Sequence, residues 1–358
     1  MPETVTKTLK VRVRDKHAKL LSKWAMSVNQ VWNYCNELSF RSITERRKWL
    51  SGYDLQSYTK GASELGLNSA TLQMVGHEYV TRRKQFKKAK LQWRKSCGVR
   101  RSLGWIPVRK DCFSIKSGQI YHNRNYFKVW DSYGLSKYKT RSASFNEDAR
   151  GRWYFNVVVE VPVEQSVGTG AVGIDLGCKA AATCSTGEKL TGLWYRAMEQ
   201  KLAVAQRARK KQRVKAIHAK IANRRKDALH KFSRKLVDQN AAIFVGNVNA
   251  RAITRTKLAK SSLDASWSQL RTMLLYKSDH AGIVYQEINE AYTTQACSCC
   301  GAISSGSPKG RAGLGIRQWT CVECGTLHRD RDINAAKNIA ALGHERLSGG
   351  IAFQSRAA

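Results

Sequence analysis

Val172-Gly173-Ile174-Asp175-Leu176-Gly177 sets one carboxylate in an apolar run, with a glycine two residues to either side. Such a run reads as a strand, and its glycines allow close backbone approach to a phosphate. Downstream, Ala180 to Thr186 reads as a second strand, with Gly187-Glu188 as its turn. A long basic helical region follows from about Arg196 to Gln239. Then come a strand at Ala242–Gly246, a helix at Leu263–His280, a strand at Gly282–Ile288 and a closing helix at Asp332–Leu342. This order of strand, strand, helix, strand, helix, strand, helix fits an RNase H-like α/β domain.

Upstream, 163–170 reads as a linker. Between Gly104 and Val163 the pattern is short alternating runs, such as Tyr126–Trp130 and Trp153–Val161, divided by turn residues. That is the signature of a small β-barrel. Thr6–Val13 alternates in the same way and joins it. The helical tracts between, from about His17 to Cys35 and from about Ser69 to Lys95, are therefore an insertion.

The charge balance names the partner. Against 26 Asp+Glu stand 63 Lys+Arg, for a net charge of +37 over 358 residues. Self-repulsion of that size opposes compaction, so a polyanion is expected, with nucleic acid the first choice. Acidic membrane is disfavoured because the basic residues spread over most of the chain. No run of 18 apolar residues exists and the N-terminus lacks a secretory core, so a cytosolic protein is expected. Two tracts are the densest. The helix over 69–95 carries Arg82, Arg83, Lys84, Lys87, Lys88 and Lys90. Residues 201–235 hold fourteen Lys/Arg and a single acid, Asp227. The phosphate-contact candidates are Arg82, Arg83, Lys87, Arg207, Lys210, Lys211, Arg224, Arg225 and Lys226.

Cys297-x2-Cys300-Gly and Cys321-x2-Cys324-Gly are paired knuckles, twenty residues apart. Each turn presents two thiolates, and four complete a tetrahedron around structural Zn²⁺ with no open position. Cys299 could replace Cys300, but Cys300 restores the symmetry of the two pairs. Cys35, Cys97, Cys112, Cys178 and Cys184 have no ligand spacing and read as small apolar residues.

Gly173-Ile-Asp-Leu-Gly177 resembles the first RuvC motif of the transposon-encoded TnpB family, relatives of type V CRISPR effectors. Ile221–Lys231 resembles the family's basic segment, and Tyr292–Gly301 its lead into the finger. Arg329-Asp-Arg-Asp-Ile-Asn-Ala-Ala-Lys-Asn-Ile339 resembles the third motif. The resemblance implies a multidomain α+β protein: a small β-barrel with a helical insertion, then an RNase H-like (RuvC) α/β domain with an inserted four-cysteine zinc finger. The expected organisation is a barrel over 1–16 and 100–165 and a helical recognition domain over 17–99. A nuclease domain over 170–296 and 325–345, a zinc finger over 297–324 and a flexible tail over 346–358 complete it. It also implies that Asp175 and Asp332 bind catalytic Mg²⁺, Asp332 doubling as a helix N-cap, with Asp330 a lesser alternative. The second motif departs from the family: no carboxylate stands at Gly246 or Asn247. Relocation to Glu287 on the neighbouring strand is the expectation, with Glu290 the second candidate.

The implied activity is metal-dependent DNA cleavage guided by an RNA from the chain's own element. The implied partners are that guide RNA, double-stranded target DNA and the RNA–DNA heteroduplex, in a monomeric ribonucleoprotein of the prokaryotic cytosol, nucleoid-associated when bound to DNA. The rival readings are a nuclease-inactive RNA-guided binder or repressor, and a DNA-binding transposase accessory protein.

Overall fold

β1 (Thr4–Val13) runs through the middle of a seven-stranded antiparallel sheet in a computed structural model that describes residues 4–248, 263–310 and 312–349. Its companions are β2 (Trp105–Val108), β3 (Phe113–Lys116), β4 (Gln119–His122), β5 (Asn125–Trp130), β6 (Lys139–Glu147) and β7 (Trp153–Pro162), in the order β2-β6-β7-β1-β5-β4-β3. Alternation drives the sheet to curl. Trp153, Phe155, Val157 and Val159 of β7 all point inward. The end strand folds over them: Phe113 of β3 packs against Phe155 at 5.4 Å between ring centroids. The sheet is thus a nearly closed barrel.

Three helices follow β1: α1 (Ala18–Arg46), α2 (Gly52–Thr59) and α3 (Ser69–Phe86). Val28, Trp32 and Tyr79 from the helices share one hydrophobic core with Ile106, Phe145 and Phe155 from the strands. The helical insertion and the barrel therefore form one compact unit up to Pro162. α3 is shorter than the sequence pattern predicts. It stops at Phe86, where Lys87 turns left-handed (φ 51°) and its N–H caps the last turn.

The second unit begins at Val163. β8 (Gly170–Asp175), β9 (Ala180–Cys184), β10 (Lys189–Thr191), β11 (Asn240–Gly246) and β12 (Val284–Ile288) form a sheet ordered β10-β9-β8-β11-β12. β8, β11 and β12 are parallel, and β9 and β10 antiparallel. α4 (Glu199–Arg207) and α5 (Lys211–Gln239) replace the single basic helix of the sequence reading, because the chain breaks at Arg209 (φ 52°). Leu229, Phe232 and Leu236 of α5 and Leu270 and Leu274 of α6 (Trp267–Ala281) cover one face of the sheet. α7 (Arg331–Ser348) covers the other, where Ile339 meets Ala242, Phe244 and Ile288. Residues 346–348 of the expected tail are the end of this helix, and 350–358 lie outside the described residues.

Gly173 serves this packing. A Cβ there would collide with the Ala336 carbonyl oxygen of α7 and lie 2.6 Å from the Ala340 nitrogen. The helix backbone thus rests directly on the strand. Both obstacles are backbone, so Gly173→Ala is expected to destabilise the unit at the upper end of the roughly 1–3 kcal/mol typical of overpacking. A lowered urea midpoint with unchanged m-value would show it.

Candidate active site and four-thiol centre

The sheet's alternation sorts the candidate acids. On β8, Val172 and Ile174 enter the core beneath α5 and α6, so Gly173 and Asp175 face α7. β11 pairs in parallel with β8, Val245 opposite Ile174. One step on, Gly246 stands beside Asp175 on the same face. That is where the missing second-motif carboxylate would sit. β12 in turn pairs Gly246 with Ile288 and Val245 with Glu287.

This register separates Glu287 from Asp175. Partners across a parallel pair share a face, so Glu287 lies with Val245 on the α6 side. There it is exposed, ion-paired to Arg271 of α6 at 3.0 Å and bonded by the Tyr285 hydroxyl at 3.3 Å. The structure does not bring it to Asp175. Glu290 comes instead. Past the end of β12 its side chain folds back over Gly246, so that a Cβ at 246 would strike the Glu290 carboxylate and lie 3.3 Å from its Cβ. The Glu290 N–H reaches Asn247 Oδ1 at 3.4 Å. Its Oε2 is buried and accepts no hydrogen bond.

Asp332 lies in the first turn of α7. It is not the N-cap: Asp330 is, accepting from the Asp332 N–H at 2.8 Å and the Ile333 N–H at 3.4 Å, and also holding Lys189. Asp332 is left free to meet Arg317 at 2.5 Å, with Arg331 at 3.7 Å. Arg317, from the segment between the knuckles, is a site residue the sequence reading missed, since nothing in its local pattern points at Asp332.

Asp175 is 9% exposed. Burial, then the charges of Asp332 and Glu290, push its carboxyl up to about 8, against the weaker pull of Arg331 and Arg317. Burial also raises Glu290, with Arg271 opposing. Asp175 ends its strand, and it feels the charges of both Asp332 and Glu290. Carboxylate oxygens are the hard donors that divalent cations take, though among the described residues the side chains that converge closely enough to hold an ion are the four thiols.

Beyond β12, the Sγ atoms of Cys297, Cys300, Cys321 and Cys324 all lie within 4.8 Å of one another. The Cys297–Cys324 and Cys300–Cys321 separations are 3.6 and 3.7 Å. A tetrahedral zinc with bonds of about 2.3 Å has edges of roughly 3.8 Å, so the thiols fit that ion. Cys299 is exposed and outside the set. His328 closes the ribbon of β13 (Trp319–Thr320) and β14 (Leu327–His328), with Nε2 3.1 Å from Cys297 Sγ. Asn334 and Asn338 of α7 tie this centre to the carboxylates. Each donates to the Ala296 carbonyl at 2.8 Å, and Asn334 Oδ1 accepts the Ser298 N–H at 2.9 Å.

The basic candidates divide. Arg207, Lys210, Lys211, Arg224 and Lys226 are exposed. So are Lys87 and Arg82, the latter bonded to Glu78 at 2.6 Å. Arg83 is not a phosphate ligand: it is 2% exposed, donates to Ser39 Oγ and to the Leu50 carbonyl at 2.7 Å, and lies under Trp49. Arg225 is half-buried and faces Asp264 at 3.7 Å. Both satisfy needs inside the fold that the charge pattern does not reveal.

A family model described as "Probable transposase" matches residues 154–257, and one described as "Cas12f1-like, TNB domain" matches 267–339. A putative RNA-guided DNA endonuclease of Streptomyces pristinaespiralis is 36% identical over 218 residues, which is 56% of this chain and 52% of the relative. The putative RNA-guided DNA endonuclease InsQ of Escherichia coli (strain K12) is 27% identical over 236 residues, 57% of each chain. The chain spans about half the length of the curated relatives it matches. A protein in the cryo-EM structure of the Cas12f1–sgRNA–target DNA complex aligns with a TM-score of 0.59 at 13% identity, covering 95% of this chain and 99% of that one. That likeness shows the fold alone. The first model covers the strand of Asp175 and the glycine that lacks a carboxylate, and the second covers Glu290, the four thiols and Asp332; the TnpB-like protein L79 of Acanthamoeba polyphaga mimivirus is similar as well, 33% identical over 137 residues, 35% of this chain and 24% of that one.

Proposed function

We propose that this chain is an RNA-guided DNA endonuclease whose RuvC-like site is formed by Asp175, Glu290 and Asp332. The observation that carries the reading is Glu290 folded over Gly246, beside Asp175, where the family's second-motif carboxylate is absent. When bound, a pair of Mg²⁺ ions stabilises the attacking and leaving oxygens of a phosphodiester. Asp175 holds its oxygens on a strand packed on both faces, Asp332 stands at a capped helix start, and Glu290 lies over Gly246; these three would hold the ions. Arg317 pairs with Asp332 and would have to share that carboxylate with any bound cation. The four-thiol set takes a structural zinc, and the guide RNA is the partner that selects the target by base pairing. The gap at Gly246 and Asn247 favours the rival, a non-cleaving binder, and Glu290 answers that gap.

The test is cleavage of target plasmid in Mg²⁺ by the purified chain with its co-purifying RNA. Cutting that Asp175→Ala removes while binding persists is the expected result. RNA-bound protein that never cuts in Mg²⁺ or Mn²⁺ would turn the reading to the binder.

α5 supplies phosphate contacts in this reading, through exposed Arg224 and Lys226. Replacing both with Ala is expected to weaken binding to all sequences alike. The slope of log K against log salt should flatten by about 0.7–0.9 for each phosphate no longer neutralised. Fluorescence anisotropy between 50 and 200 mM salt (about the range over which such contacts act) measures it, and an unchanged slope would take α5 off the nucleic acid.

A further inference from the structure

α1 carries Asn29, Asn33 and Asn36 at helical spacing, and all three grip the segment that follows α3. Asn36 accepts the Leu91 N–H at 2.9 Å and donates to the Leu91 carbonyl at 2.7 Å. Asn33 does the same for Arg94, at 2.8 and 2.9 Å. Asn29 accepts from Arg94 Nε at 2.6 Å and donates to Ser96 Oγ at 3.1 Å. Side-chain amides thus pin 91–96 along the helix.

What the segment presents is Trp93, 55% exposed, near Phe86, 61% exposed at the end of α3. Both line a cleft of about 560 Å³ together with Trp32, Arg82, Lys88 and Arg94. Other exposed tryptophans of this unit are covered by cations: Arg14 lies 4.0 Å from the ring of Trp130, and Arg83 5.0 Å from that of Trp49. Among the described residues, Trp93 and Phe86 carry neither a ring nor a cation on their faces. Arg94, fixed by Asn29 and the Leu103 carbonyl, lies over Trp32 and Trp105 at 5.7 and 5.8 Å. The cleft thus has two open aromatic faces and a cationic wall, and acids beside it are already engaged, Glu78 with Arg82 and Glu37 with Lys90.

We propose that this cleft binds an unpaired nucleotide of single-stranded RNA. Its base stacks on Trp93 and Phe86, and its phosphate meets Lys88 and Arg82. An open aromatic face beside cations suits a base and its backbone, and every base has such a face. RNA is the source because folded RNA splays bases out of loops and bulges, whereas duplex DNA keeps them stacked inside. The proposal rests on the RNA-guided reading for the origin of that RNA, but not for the chemistry of the cleft.

The test uses the full-length chain, washed free of RNA in high salt, and a short oligouridine carrying one 2-aminopurine. Quenching of the probe on binding is expected. Trp93→Ala should weaken binding about tenfold or more, the scale of losing one base–aromatic stack. Trp93→Phe should keep most of it, and melting temperature should not move, since the ring is exposed. Wild-type binding by Trp93→Ala overturns the proposal, and so does an oligothymidine probe that binds as tightly and responds equally. Asp175→Ala should leave the quench intact. Quenching without any plasmid cleavage would therefore count against the endonuclease reading alone, and cleavage with no effect of Trp93→Ala against the cleft alone.

Discussion

Glu290→Gln is expected to cut the DNA cleavage rate by on the order of a hundredfold or more, the scale on which one preorganised charged group acts in a reaction of developing charge. RNA and DNA binding should hold. Gln keeps the shape and removes the charge, so the loss would report cation binding and not packing. Glu287→Gln should stay near the wild-type rate, because that side chain faces Arg271 on the far side of the sheet. Gly246→Ala sharpens the test. A methyl at 246 meets the Glu290 carboxylate, so it should cost activity with little change in fold. The double substitution Glu290→Ala with Gly246→Glu should recover part of the rate by returning a carboxylate to the strand beside Asp175. Rates are read on supercoiled plasmid in Mg²⁺. Full activity in Glu290→Gln would remove Glu290 from the site and return the question to the non-cleaving rival.

Cys321→Ser is expected to have the second largest effect, on metal content and stability together. Structural zinc sites contribute about 10–16 kcal/mol of apparent binding energy in small peptides, and that energy is folding energy. Elemental analysis should find one zinc per chain in the unaltered protein and a large loss in the variant, with a lowered melting temperature. Cleavage should fall too, through a traceable route. Asn334 and Asn338 hold the backbone of the first knuckle, and the same helix carries Asp332. Arg317, between the knuckles, bonds Asp332 directly. Cys299→Ser, outside the thiol cluster, should change none of these. Zinc-free protein that folds and cuts normally would contradict the structural role.

Much of the architecture is legible in the sequence. The strand around Asp175, the order of the elements after it and the knuckle spacing are local patterns, and the local chain geometry follows from them. Period-2 alternation marks β1 and β7 as half-buried strands. The thiols are legible because a C-x2-C turn brings its own two ligands together, leaving only the meeting of the pairs to the fold.

What the sequence leaves open is relations between elements. Glu287 lies within β12, so the register of β12 on β11 sets its face, whereas Glu290 lies past the strand's end and reaches Gly246 by a fold-back that no strand pattern encodes. A strand's sequence carries its alternation but not the partner that sets its phase, and a slip of one residue exchanges the faces. Arg83 lies in a run of basic residues, yet its guanidinium is consumed by Ser39 and the Leu50 carbonyl, one 44 and the other 33 residues away. Asp330 and Asp332 both stand at the start of a helix, and the first takes the cap because it is the extended residue just before the helix while Asp332 is already in the first turn. Residue chemistry and periodicity are properties of the chain. Which carboxylate is near which, and which cation is already neutralised, are properties of packing, because they depend on distances between segments that the chain's own local geometry does not determine.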